Sequence, residues 1–315
     1  MRTPPDAGTR LPGHKAGDTL PWPHALLALA VVAVWGTNFV VIRWALDALP
    51  PLTMAALRFA LAFAPAALWI RRPRVPWRQL AAYGLLIGVG QFALLYLALR
   101  SAIAPGLASL VVQTQVFFTI ALAVAFEGER VQRYQLVALA LAAAGLVLLV
   151  LHSQAAGGTP LGVAMVLGAA LAWAAGNLVS RRAGRVDMLG YMVWSSIFAV
   201  PPLALLALAF EGPAAVWQGI GAAGPGTWLA VLWQAFGNTL FGYAAWAWLL
   251  ARHPAATITP WALGVPVFGM GSSALLLAEP MPAYKLGASA LVIAGLALNL
   301  LWPRWRAALR ARLTP

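Results

Sequence analysis

Side-chain amides recur in this sequence where water is scarce. Asn38, Gln91, Gln113, Gln115, Asn177, Gln234 and Asn238 each lie inside a long apolar run, with Thr114 among them. An amide both donates and accepts hydrogen bonds, so a cluster of amides suits the ammonium and the carboxylate of a zwitterion. Trp35 and Trp261 lie in the same runs, and an aromatic face attracts an ammonium. Left unpaired in hydrocarbon, each amide costs roughly 2–7 kcal/mol. The groups must therefore meet one another or a polar path. A lone amide also serves as glue between packed helices, worth about 0.6–2 kcal/mol. Distribution argues for more than glue. The first, third, fourth, sixth and eighth apolar runs carry mid-depth amides, while the fifth and tenth carry almost none. The expected lining of a polar path is Trp35, Asn38, Gln91, Gln115, Asn177, Asn238 and Trp261, with the fifth and tenth runs peripheral.

Other chemistries lack their residues. There is no cysteine, so no disulfide, thiolate site or cysteine nucleophile. The eight acids, Asp6, Asp18, Asp47, Glu127, Glu129, Asp187, Glu211 and Glu279, all fall in tails or near the ends of apolar runs, as do the four histidines. There is no metal-ligand spacing, no paired intramembrane carboxylates, no phosphate loop and no serine with a nearby base. The expectation is no enzyme, no cofactor and no metal. Glu129 and Glu279 are the faint candidates for ion coupling. A cap or a loop ion pair with Arg130 or Lys285 explains them as simply. Arg58 lies well inside the second run and is expected to face protein. It can hold a carboxylate of the protein or of a ligand, although structural anchoring is the simpler role. Gly84, Gly88 and Gly90 fit close helix packing better than a cofactor loop.

These residues must be held by membrane helices. Apolar residues make up 62% of the 315 and charged residues 9%, against about 25% charged in soluble domains. Ten apolar runs follow, at 25–46, 51–70, 79–99, 105–126, 134–151, 161–180, 188–210, 227–250, 255–278 and 285–302. A run of about 20 residues crosses the hydrocarbon as a helix, which satisfies its own backbone. The ninth run contains Pro260, Gly264 and Pro266, which interrupt the helical hydrogen-bond ladder. Such breaks at membrane depth are a mark of transport sites, or a simple kink.

The net charge of +13 sits in short loops rather than on one solvated face, which argues against nucleic-acid binding. Arginines cluster after runs two (Arg71, Arg72, Arg74, Arg78), four (Arg130, Arg133), six (Arg181, Arg182, Arg185) and ten (Arg304, Arg306, Arg310, Arg312), while the alternate loops are nearly bare. The bias predicts a multi-pass chain with both termini in the cytoplasm, and the family resemblance described below implies the bacterial inner membrane.

The chain also repeats. Glu129, Tyr134, Leu136, Ala138, Leu141, Gly145 and Leu146 recur as Glu279, Tyr284, Leu286, Ala288, Leu291, Gly295 and Leu296, an offset of 279 − 129 = 150. Trp35 with Asn38 resembles Trp173 with Asn177. Five runs per repeat is an odd number, so the second copy must cross the membrane inverted, an architecture of secondary transporters. The expected fold is all-α and polytopic, with ten transmembrane helices as two inverted five-helix repeats. The boundaries are a cytoplasmic tail at 1–24, repeats at 25–151 and 161–302, and a basic cytoplasmic tail at 303–315.

The stretches VWGTNFVVIRWAL, PPLTMAALRFALAFAPA and GLASLVVQTQVFFTIALAVAFEGER resemble the EamA family of the drug/metabolite transporter superfamily. Within it they are similar to the bacterial exporters of O-acetylserine and cysteine. The resemblance implies ten helices in two inverted repeats and export of amino-acid-like metabolites by alternating access. The partners expected are a small-molecule substrate and the lipid bilayer. Alternatives are export of aromatic amino acids, sugars or hydrophobic drugs, which fifteen tryptophans allow, and a non-transport membrane enzyme or scaffold.

Overall fold

Proline opens six of the described helices. Its missing N–H is unneeded in a first turn and its fixed φ is already helical. The computed structural model describes residues 20–101, 108, 111–152, 159–277 and 282–313. Proline occupies the first turn of α1 (Trp22–Leu46), α2 (Pro51–Phe63), α7 (Pro160–Arg182), α9 (Val200–Phe210), α10 (Pro213–Ala222) and α11 (Pro225–Leu232). Thr159 adds a side-chain cap to α7, accepting from the Gly162 amide at 3.0 Å. The described elements are completed by α3 (Trp77–Gly84), α4 (Leu94–Ser101), α5 (Gln115–Glu127), α6 (Arg133–His152), α8 (Met188–Ser196), α12 (Ala244–Leu250), α13 (Ala255–Ile258), α14 (Val265–Leu277) and α15 (Ala283–Leu313). No strand occurs among the described residues. Six helical stretches are long and apolar enough to cross a membrane.

Several expected rods are interrupted. Between α3 and α4, residues Leu85–Ala93 wind as a π-helix, and Trp233–Tyr243 does so between α11 and α12. Val112–Thr114 and Thr259–Gly264 are 3₁₀ turns leading into α5 and α14. The Pro260 and Gly264 break therefore takes the form of a tight turn, with Pro266 in the helix that follows. All six residues of that turn are buried, and Gly264 packs on Val32 and Leu296. Two elements differ from the sequence expectation. The loop expected at 211–226 contains α10, and α15 continues through Pro303 to Leu313, into the region read as a tail.

Small residues set the closest crossings. A Cβ on Gly84 would stand 2.1 Å from the Ser195 carbonyl oxygen, and one on Gly88 would stand 2.2 Å from the Ala199 Cβ. One on Gly90 would stand 2.8 Å from the Ala172 Cβ. These glycines are packing residues, as their spacing suggested. The contact between α6 and α15 is the most extensive helix pair among the described residues. It is reciprocal: Gly145 faces the Ala288 carbonyl oxygen at 2.8 Å from an added Cβ, and Gly295 faces that of Ala138 at 2.6 Å.

The surface is that of a lipid-solvated protein. Leu68, Leu205, Leu229 and Leu275 are exposed, while Asn38, Arg58, Gln91, Gln115, Asn177, Gln234 and Asn238 are buried. Exposed Trp22, Trp69 and Trp77 lie near helix ends, where amphipathic rings favour the membrane interface. The start of α1 and the far part of α15 share one end of the bundle. There Arg304 lies over the Trp22 ring at 4.1 Å and donates to the Leu20 carbonyl.

Candidate functional site

The buried amides meet across helices. Asn38, on α1, pairs with Gln234 on the second π stretch. Gln234 Nε2 donates to Asn38 Oδ1 at 2.7 Å, and Asn38 Nδ2 lies 3.4 Å from Gln234 Oε1. Gln91, on the first π stretch, shares a hydrogen bond with the Tyr243 hydroxyl at 3.1 Å. Asn177, on α7, donates to Gln115 Oε1 at 3.3 Å and to Thr119 Oγ1 at 3.1 Å. Asn238 accepts from Arg58 Nη2 at 2.7 Å. Wide turns create part of this arrangement. On a π stretch the i→i+5 spacing replaces i→i+4, and the Thr239 hydroxyl donates to the carbonyl of Gln234, five residues back, at 2.8 Å. That leaves Thr239 Oγ1 to accept from Arg58 Nε and Nη2 at 3.1 and 2.8 Å.

Aromatic rings fill the space between the amide pairs. Trp35 packs on Trp173, Tyr243 and Trp246, with ring centroids 5.2, 5.0 and 5.1 Å apart. Trp35 and Trp173 each precede one of the two similar asparagine-containing stretches, at Asn38 and Asn177. Gly242 admits the Trp35 ring, since a Cβ there would stand 2.4 Å from the indole nitrogen. Of the residues expected to line a polar path, Trp35, Asn38, Gln91, Gln115, Asn177 and Asn238 are all buried and held by hydrogen bonds or ring contacts. Trp261 is buried on the 3₁₀ turn, and no hydrogen bond or ring contact joins it to the others among the described residues. A side groove of about 390 Å³ lies apart from the amides, lined by Leu27, Asp187, Met188, Ala244 and Trp248 among others.

Glu129 has a different neighbour from those expected. It pairs with Arg181 rather than with Arg130, and both carboxylate oxygens accept from the Ala255 amide at 3.0 Å. Glu127 joins Arg181 at 2.8 Å. Arg181 Nε also donates to the Leu250 carbonyl at 3.1 Å. One ionic knot thus ties the ends of α5, α7 and α12 to the start of α13. Burial pushes the Glu127 carboxyl above its ordinary value, the Arg181 charge pulls it down and Glu129 pushes it up. The knot shares the end of the bundle where α1 begins, since His24 lies 2.7 Å from His253 in the α12–α13 connection. At the opposite end Glu211 accepts from the Leu52 and Thr53 amides and from the Thr53 hydroxyl, capping α2. Glu279 lies outside the described residues.

Sequence reasoning missed Thr239, Tyr243, Tyr96 and Trp246. Thr239 and Tyr243 lie on the second π stretch, and Tyr96 and Trp246 on the helices that follow the two π stretches; regular α-helical spacing read from the sequence does not phase them.

An apolar shell facing lipid around paired buried amides is the construction of a polytopic membrane transporter. The chain belongs to the EamA-like transporter family, whose model matches residues 22–151 and again residues 160–301. It is 40% identical over 280 residues to a probable amino-acid metabolite efflux pump of Salmonella typhimurium, covering 87% of this chain and 93% of that protein. A relative of the same description from Escherichia coli K12 is 38% identical over 292 residues, covering 90% and 97%. A solved crystal structure superposes with a TM-score of 0.73 over 90% of this chain and 99% of its own, at 21% identity. The protein is a transporter, not an enzyme, like the family and the relatives it matches.

Proposed function

We propose that this protein exports small amino-acid metabolites of the cysteine and O-acetylserine class across the bacterial inner membrane by alternating access. The observation that carries the reading is the meeting of Asn38–Gln234, Gln91–Tyr243 and Gln115–Asn177 in the interior, around the Trp35–Trp173 contact. Trp35, Asn38, Gln91, Gln115, Asn177, Asn238 and Trp261 form the substrate site. Each pair then opens to exchange a partner amide for the ammonium or carboxylate of the substrate. Pro260, Gly264 and Pro266 provide a hinge at the break before α14. The transporter has ten spans as two inverted repeats, 25–151 and 161–302, with tails 1–24 and 303–315 in the cytoplasm. Support comes from the double match of the family model, the Trp35–Trp173 contact and the reciprocal Gly145 and Gly295 crossings. The Glu129–Arg181 knot acts as the cytoplasmic latch. Glu279 is its repeat-related counterpart, and either carboxylate is the place to look for ion coupling.

Overexpression should raise cysteine and O-acetylserine in the medium above an empty-vector control, and Asn38→Ala should abolish the rise at normal membrane abundance. Undiminished export by that variant would remove Asn38 from the path. A second reading, export of aromatic amino acids or hydrophobic drugs, draws on the cluster of Trp35, Trp173, Tyr243 and Trp246. Accumulation of those compounds in the medium instead would favour it.

A further inference from the structure

Arg58 is fully buried, and among the described residues no carboxylate bonds it. The ion pairs among those residues belong to Arg181. Its partners are neutral: Asn238 Oδ1 at 2.7 Å and Thr239 Oγ1 at 2.8 Å, with the Phe92 ring 4.2 Å and the Phe59 ring 5.2 Å from its central carbon. These contacts occupy Nε and Nη2. Nη1 has no well-aligned acceptor among the described residues. The Tyr96 hydroxyl, on a residue 2% exposed, stands beside the guanidinium, close enough to accept from it, and among the described residues no acceptor takes its proton. The Tyr96 ring lies 5.7 Å from that of Phe92, which the guanidinium also covers. A cation in a dry interior requires a counter-charge, and among the described residues none is supplied, nor is a well-aligned acceptor for the two N–H groups of Nη1. Two unused donors beside one uncompensated positive charge make a receptor for a single anion with two acceptor atoms. A carboxylate fits, since a guanidinium presents parallel N–H groups in its geometry.

We propose that Arg58 is the carboxylate-binding residue of the transport site, with Nη1 and the Tyr96 hydroxyl donating to the substrate's carboxylate. Asn238 and Thr239 hold the other edge of the guanidinium and fix its direction. The site then selects substrates by their negative group. Amines, esters and neutral hydrophobic compounds leave the guanidinium unpaired and bind poorly. This deepens the transporter reading and rests on it. It also gives Arg58 a role that anchoring alone does not.

The test uses purified full-length protein in nanodiscs, with binding read from tryptophan fluorescence and from ligand-induced shifts in unfolding temperature. Probes are O-acetylserine and its methyl ester, followed by serine, threonine, leucine and phenylalanine, each with its methyl ester. Wild type should bind the effective acid about 10–100-fold tighter than its ester, the worth of a charge-assisted hydrogen bond. Arg58→Gln should abolish that preference while leaving the ester's affinity nearly unchanged, and Arg58→Lys should restore part of it. Asn238→Asp places a permanent carboxylate against the guanidinium. It should also remove the preference, and it decides the matter if Arg58→Gln does not fold. Preference for another acid over its ester, lost in the variants, would overturn the O-acetylserine assignment but uphold Arg58. Equal binding of acids and esters across the panel by wild type would overturn the role of Arg58. So would an equal loss for both in the variants, the signature of an anchor.

Discussion

Replacing Gly84 by alanine tests whether the α3–α8 crossing positions the site. The new Cβ would stand 2.1 Å from the Ser195 carbonyl oxygen, whereas a carbon and a carbonyl oxygen rest no closer than about 3.3 Å. The two segments must therefore part by about 1.2 Å locally (3.3 − 2.1). The obstacle is backbone, which cannot swing aside as a side chain would. A gap of 0.5–1 Å forfeits roughly a quarter to a half of each dispersion contact. The neighbouring Gly88–Ala199 contact loosens with it. Overpacking of this kind costs about 1–3 kcal/mol, and the rigid obstacle places Gly84→Ala near the upper value. The readout is the unfolding midpoint in detergent, followed by size-exclusion chromatography. Gly221→Ala, with nothing within 4 Å of its added Cβ, is the control and should match wild type. Export should fall in Gly84→Ala as well, because Gln91 lies two turns further along the same segment. A midpoint for Gly84→Ala indistinguishable from that of Gly221→Ala would refute the reasoning.

Three further expectations follow from the packing. Glu129→Gln should cost about 1.5–3 kcal/mol through the loss of a charge-assisted partner for Arg181. Glu127→Gln should be nearly neutral, because burial already disfavours the Glu127 charge; the paired unfolding midpoints decide it. A carboxyl raised in the folded state adds stability as pH falls through its folded value, so Glu127→Gln should also flatten the acid side of the stability profile. Asn177→Ala should lower stability by only about 0.6–1.7 kcal/mol, the usual range for polar contacts between membrane helices, yet abolish export. A loss of stability large enough to explain the lost export would make Asn177 structural. Gly145→Ala and Gly295→Ala, facing backbone oxygens at 2.8 and 2.6 Å, should destabilise alike. The double variant should cost less than the sum, since the first change already parts the helices. Strict additivity would contradict a shared contact.

Much of this was legible because lipid makes hydropathy decisive. The run at 25–46 returns as α1, that at 161–180 as α7, and that at 188–210 as α8 and α9. Mid-depth amides had to be buried, and Asn38, Gln91, Gln115, Asn177 and Asn238 are. Which amide meets which was not legible. Asn38 and Asn177 lie in similar sequence stretches, yet Asn38 meets Gln234 while Asn177 meets Gln115. Sequence spacing carries no record of that choice. Arg181 was counted as one loop charge among several, and its partnership with Glu129, 52 residues away, has no local signature. Helix α10 hid in a loop rich in glycine and proline, its position set by Gly219 packing against Pro50.

The π windings at Leu85–Ala93 and Trp233–Tyr243 have a consequence for how this chain can fail. Insertion into a bilayer responds to the total apolarity of a segment and not to the angular phase of its side chains. Removing one residue from either winding would leave a regular helix of nearly the same hydropathy. The cell's insertion machinery would accept it without complaint. Everything beyond the deletion would then be turned by about a third of a revolution, swinging Tyr243 or its neighbours out toward lipid. Such a protein would be made, inserted and retained, and would carry nothing. In these two stretches a length change is more damaging than most substitutions, and quality control has no means of seeing it.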